Sequence, residues 1–148
     1  MIANRANELM GGEIGSKCPV HPNDHVNMGQ STNDVIPSAI HIALALELHN
    51  NTLPGVQMLQ QELQRKSEKW QDVIKVGRTH LMDATPISLG QEFGGYAAQI
   101  EDAIERIGAT LPGLYQLQMG GTAVGTGLNA GCEFGEKVAK IIADHTGK

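Results

Sequence analysis

Residues 36–48 carry apolar side chains nearly all the way round a helical turn: Ile36, Ala39, Ile40, Ile42, Ala43, Leu44, Ala45, Leu46 and Leu48. A helix on the surface of a single domain shows one apolar stripe, so this one is predicted to lie buried within something larger. Two readings fit, a central helix of a monomeric bundle or a helix shared between subunits. At 148 residues the chain has room for one domain with a core and too little to expect two. Few other helices are present to surround the segment, which keeps the intersubunit reading open.

Residues 2–10 look like the tail of a helix closed by Gly11-Gly12, and residues 13–33 like a loop rich in Gly, Pro, Asn and Ser. Asn33 or Asp34 is placed to cap the next helix, with Pro37 in its first turn. That helix runs on through Leu59 and Leu63 towards Ser67, kinked or divided at Pro54. Ser88-Leu-Gly-Gln91 has capping-box spacing and opens a further helix to about Leu117, bent at Pro112. A last helix covers roughly residues 133–145. Strand signals are poor: no hairpin dipeptide separates alternating runs, and only Val73-Ile-Lys-Val76 looks briefly extended. Aromatic residues make up 3% of the chain, which suits Leu/Ile/Ala helices packed side by side. The predicted class is all-α, in a single partial domain over residues 1–148.

A net charge of −5 and a pI near 5.6 provide no basic footprint for nucleic acid or an anionic membrane. No run approaches the ~20 apolar residues of a membrane span. Cys18 and Cys132 fit neither a metal spacing nor a disulfide framework, which predicts a reducing, cytoplasmic setting. The start, Met1-Ile-Ala-Asn-Arg-Ala, has neither a signal-peptide nor a transit-peptide pattern.

Three polar segments interrupt the helical frame. In the first, Gly29-Gln-Ser-Thr-Asn-Asp34, the residues Ser31, Thr32 and Asn33 present two hydroxyls and a carboxamide just before a helix N-terminus. Backbone N–H groups and the helix dipole there suit a small carboxylate, and plain N-capping is the competing reading. Upstream, His21, Asp24 and His25 invite a metal, but Pro22 argues against a regular helix and no further ligand cluster completes a site. In the second segment Arg78, Thr79, His80 and Asp83 crowd into a short loop. There His80 could move a proton near neutral pH with a carboxylate fixing its tautomer, or simply be a buried histidine bonded to backbone. The third, Gly120 to Gly127, lacks the Lys-Ser/Thr of a phosphate loop and the βαβ unit of a dinucleotide fold, so no nucleotide is predicted.

Taken together, HPNDHVNMGQSTNDVIPSA (21–39), GRTHLMDATPISLGQEF (77–93) and GGTAVGTGLN (120–129) resemble the fumarase/aspartase superfamily, and within it the class II fumarases, in family order and spacing. The likeness covers essentially the whole chain. It implies a helical tetramer with a shared central bundle, which would account for residues 36–48, and active sites drawn from three subunits. It further implies that Ser31, Thr32, Asn33 and Thr79 hold a substrate carboxylate, and that His80 is the active-site histidine, in an acid/base or water-orienting role. His21, Asn23 and Asp24 match a second dicarboxylate site. The implied reaction is reversible hydration of fumarate to L-malate, a step of the tricarboxylic acid cycle, with no metal or organic cofactor.

His80 favours the fumarase branch, because aspartases resemble this loop with Gln in that place. GGTAVGTG agrees, while Thr32 is the aspartase-like residue. The family's Gly-Ser-Ser loop, with its proton-abstracting Ser and a following Lys, has no counterpart in these residues, nor does the Ser-Gly-Thr segment expected before Met1. The chain is therefore expected to be an internal fragment whose isolated form is inactive. The alternatives are an aspartate ammonia-lyase fragment and a non-catalytic helical module that self-associates.

Overall fold

A computed structural model describes residues 1–148. Helix α1 (Ile2–Leu9) precedes a long loop holding one π-helical turn at Pro22–Val26; α2 (Thr32–Glu47) and α3 (Leu53–Lys69) follow. Two strands, β1 (Ile74–Thr79) and β2 (Met82–Ser88), lead into α4 (Leu89–Leu114), and α5 (Phe134–Thr146) closes the order. The chain forms two compact units, one of Met1–Ala43 with Tyr115–Lys148, the other of Leu44–Leu114.

The hairpin of the second unit corrects the all-α expectation. β1 and β2 pair antiparallel, Ile74 opposite Ser88 and Thr79 opposite Met82. The register slips between Val76 and Arg78, where Ala84 and Thr85 together face Gly77. This bulge needs glycine, since a Cβ on Gly77 would stand 2.7 Å from the Thr85 carbonyl oxygen. His80 and Leu81 form the two-residue connection with φ of 51° and 62°. Positive φ at both positions is the type I′ geometry that matches strand twist. Asn-Gly normally marks such a turn, so His-Leu hid the hairpin from a reading based on turn residues.

α2 and α3 are joined by a π-helical turn at Leu48–Thr52, in which the Leu53 N–H reaches back to the Leu48 carbonyl. Proline has no N–H for the carbonyl four residues earlier. The widened turn ending just before Pro54 takes up that mismatch, so the predicted division appears as a local change of helical bonding.

Ser88 and Gln91 open α4 as a reciprocal capping box: the Ser88 N–H donates to Gln91 Oε1 at 2.9 Å, and the Gln91 N–H to Ser88 Oγ at 3.0 Å. α4 then packs on α3. Trp70 and Phe93 meet edge to face at 4.9 Å, and the Ser67 hydroxyl donates to the Gly90 carbonyl at 2.7 Å. Lys75 of β1 pairs with Glu92 of α4, fixing the hairpin's base to the helix.

Apolar burial is sparse: Ala3, Ala45 and Ala97 are the fully buried apolar residues. On α2, Asp34 and Ser38 are buried alongside Ala45, while Ile36, Ile40 and Leu44 stay 51%, 53% and 47% exposed. These three recur every fourth residue and so form one apolar stripe.

Candidate functional site

In the first unit, Asn7 prepares the ground. Its buried carboxamide donates to the Val20 carbonyl at 3.0 Å and accepts the Val20 N–H at 2.7 Å, so α1 anchors the chain just ahead of His21. His21 then caps the Pro22–Val26 turn: its Nδ1 accepts the N–H groups of Asn23 and Asp24 at 3.2 and 3.3 Å. Asp24 Oδ2 lies 3.3 Å from that same Nδ1. An imidazole nitrogen accepting backbone N–H groups carries no proton to share with a carboxylate, so capping describes this contact and an ion pair does not. His25 Nδ1 accepts the His21 N–H at 2.8 Å. Both histidines thus use Nδ1 to hold backbone.

Ser31 is the residue that caps α2, two or three places before the expected Asn33 or Asp34. Its Oγ accepts the Asn33 N–H at 3.2 Å, and its own N–H donates to Asp34 Oδ1 at 2.8 Å. The capping and carboxylate-holding readings are compatible here. A hydroxyl that accepts through a lone pair keeps its O–H to donate outward. Thr32 and Asn33 are exposed, and Asn33 Nδ2 donates one of its two hydrogens to the Ala123 carbonyl at 2.7 Å.

The Gly-rich segment docks beneath this helix start. Asp34 Oδ2 accepts the Thr122 N–H at 2.8 Å, and Ser38 Oγ accepts the Gln118 N–H at 3.0 Å. Thr122 is itself held at a φ of 57°, and its hydroxyl is buried with no hydrogen-bond partner. Between these elements opens a cleft of about 360 Å³, lined by Asn23, Asp24, Gln30, Ser31, Thr122, Ala123 and Asn129 among others. It brings Ser31 together with Asn23 and Asp24 of the second expected site, while His21 serves as the cap of their turn. Sequence reading missed Asp34 and Thr122 as parts of this arrangement. The Ser31-x-x-Asp34 spacing was a usable signal for the first; nothing local pointed to the second.

Thr79 and His80 belong to the second unit, at the hairpin tip. Both are exposed, Thr79 as the last residue of β1 and His80 as the first of the turn. Asp83, considered as an orienting carboxylate for His80, instead faces Arg78 across the strands at 3.3 Å. Arg78 also donates to the Leu81 carbonyl at 3.4 Å, strapping the turn. An exposed pair of this kind contributes about 0–1 kcal/mol, so its role is to shape the tip.

The family model described as Lyase matches residues 1–148, and the chain belongs to that family. It is 60% identical over 147 residues to the class II fumarate hydratase of Caulobacter vibrioides, covering 99% of this chain and 32% of that protein. It is 58% identical over 147 residues to the mitochondrial fumarate hydratase of Rattus norvegicus, covering 99% of this chain and 29% of that one. Among solved structures, the class II fumarase of Schistosoma mansoni superposes with a TM-score of 0.89 at 43% identity, over 99% of this chain and 30% of that chain. The chain therefore spans about a third of the length of the curated relatives it matches. No helix is long and apolar enough to cross a membrane.

Proposed function

We propose that this chain supplies the carboxylate-holding loop and the histidine loop of a fumarate hydratase, which interconverts fumarate and L-malate within the tricarboxylic acid cycle. The observation that carries the reading is the Ser31 cap. Its hydroxyl is fixed from within by the Asn33 N–H at 3.2 Å and keeps its own hydrogen to donate to a substrate carboxylate.

In the malate direction a base removes the proton from the carbon beside one carboxylate. The electron pair delocalises into that carboxylate as a dianion. It then collapses to the double bond as the neighbouring C–O bond breaks, the departing hydroxyl taking a proton from an acid in the site and leaving as water. Fixed donors aimed at the dianion lower this barrier. Ser31, Thr32, Asn33 and Thr79 take that part, and His80 acts as acid/base or orients the water. No metal or organic cofactor is required by these steps. His21, Asn23 and Asp24 form a second dicarboxylate site, a role supported by the cleft that Asn23 and Asp24 share with Ser31.

The reading includes assembly into a homotetramer. The support is the stripe of Ile36, Ile40 and Leu44, about half exposed along α2. Covering each such side chain contributes about 1 kcal/mol, and sedimentation should find oligomers at micromolar concentration. A monomer at every concentration would contradict it. A cytoplasmic setting is supported by Cys18 and Cys132, both exposed free thiols.

Aspartate ammonia-lyase is the second reading, favoured only by Thr32. Supplying fumarate first with water and then with ammonia, to the product of the full reading frame, separates the two. Malate formation without ammonia supports hydration; consumption of fumarate only with ammonia contradicts it.

A further inference from the structure

Asp34 is buried, 1% exposed, and has no place in the chemistry above, yet both of its oxygens are committed. Oδ1 accepts the Ser31 N–H at 2.8 Å and Oδ2 the Thr122 N–H at 2.8 Å. Bonds to an ionised carboxylate are about twice as strong as neutral ones. An acid that merely completed a helix cap would hold Ser31 alone. The second oxygen reaches a residue at a φ of 57°, a conformation a β-branched side chain adopts only under constraint. Ser38, one turn further along α2, accepts the Gln118 N–H at 3.0 Å, and His41 Nδ1 lies 2.9 Å from the Gln116 carbonyl. Asp34, Ser38 and His41 thus lie on one helix face and hold the backbone of the same segment. Asp34 alone of the three also holds the donor loop.

We propose that Asp34 is a positioning residue, a two-ended clamp that fixes Ser31, Thr32 and Asn33 against the Gly-rich segment so that their donors converge on a substrate carboxylate. The inference rests on the carboxylate-holding role argued above. Asparagine at this position offers one acceptor oxygen, and its NH2 group confronts the other N–H. One end of the clamp opens without a change of volume.

The test uses the product of the full reading frame, with fumarate hydration as the assay. Asp34→Asn should raise KM for fumarate about tenfold and lower kcat as well, because the displaced donors serve both the substrate carboxylate and the dianion formed from it. Ser38→Ala removes a tie to the same segment without touching the donor loop, and should leave KM within about twofold. An unchanged KM in Asp34→Asn overturns the proposal. So does an equal rise in Ser38→Ala, which would assign the effect to docking of the segment at large.

Amide hydrogen exchange covers a variant that fails to fold. In the unsubstituted protein, saturating fumarate should slow exchange at Ser31 and Thr122 by the same factor, and slowing at Ser31 alone overturns the clamp. If the product converts no fumarate, the functional reading itself fails. Exchange in Asp34→Asn then still decides the clamp: acceleration at Ser31, at Thr122 or at both upholds it, and unchanged exchange at both amides overturns it.

Discussion

Asn33 donates a carboxamide hydrogen to the carbonyl of Ala123 at 2.7 Å, across 90 residues of chain. The second hydrogen and the carboxamide oxygen remain for a ligand. Asn33→Ala should therefore have two effects, a stability loss of about 1 kcal/mol from the lost bond and a rise of about tenfold in KM for fumarate. Denaturant unfolding reads the first and steady-state kinetics the second. A stability loss with unchanged KM would reduce Asn33 to a structural tie.

The hairpin tip holds two non-glycine residues in the left-handed region. Leu81, at a φ of 62°, is 95% exposed, so truncating it removes almost no packing. Leu81→Gly should raise stability by about 1 kcal/mol by releasing that backbone strain. A fall in the urea midpoint would show that Leu81 is held by contacts instead.

Where α3 meets α4, a Cβ on Gly90 would stand 2.5 Å from the Ser67 carbonyl oxygen and 2.9 Å from Gln71 Cα. Both are backbone atoms, which cannot swing aside. Gly90→Ala should lower stability by about 1–3 kcal/mol, the usual range for overpacking. Thermal unfolding of the two proteins side by side measures it, and an unchanged midpoint would mean the helices separate freely.

Glu92 accepts from Lys75 and, at 2.8 Å, from the Tyr96 hydroxyl. Lys75 first and Tyr96 second hold the Glu92 carboxyl below its usual range, and the bond to Glu92 pushes the Tyr96 phenol up. The Glu92 contribution to stability is complete above the ordinary carboxylate range and is lost as pH falls through the depressed folded value. The Tyr96 contribution is complete below the ordinary phenol value and is lost as pH rises through the raised one. In a Tyr115→Phe background, phenolate absorbance should show Tyr96 titrating above free tyrosine, and Glu92→Gln should bring it back down. A midpoint that Glu92→Gln does not move would exclude the bond.

What could be read from the sequence was what is local. Ser88 and Gln91 announce their capping box by spacing, and the helices fall close to where apolar periodicity puts them. The hairpin escaped because His80 and Leu81 adopt a turn that their residue types disfavour. Ser31 was legible as a donor at a helix start, but its cap was assigned to Asn33 or Asp34. The role of Asp34 depends on Thr122, 88 residues away, and no local pattern encodes a bond to a distant backbone N–H. The apolar surround of residues 36–48 was visible from composition alone. The exposure of Ile36, Ile40 and Leu44 beside the burial of Asp34 and Ser38 is a tertiary result.

We propose that the Ser31 loop holds a substrate carboxylate while His80 serves the chemical step. The most direct test compares fumarate hydration by the product of the full reading frame with and without His80→Asn. Malate should form in the absence of ammonia, and kcat should fall about a hundredfold or more in the variant, with KM changed far less. A variant that keeps the unsubstituted kcat, or a protein that consumes fumarate only when ammonia is supplied, would contradict it.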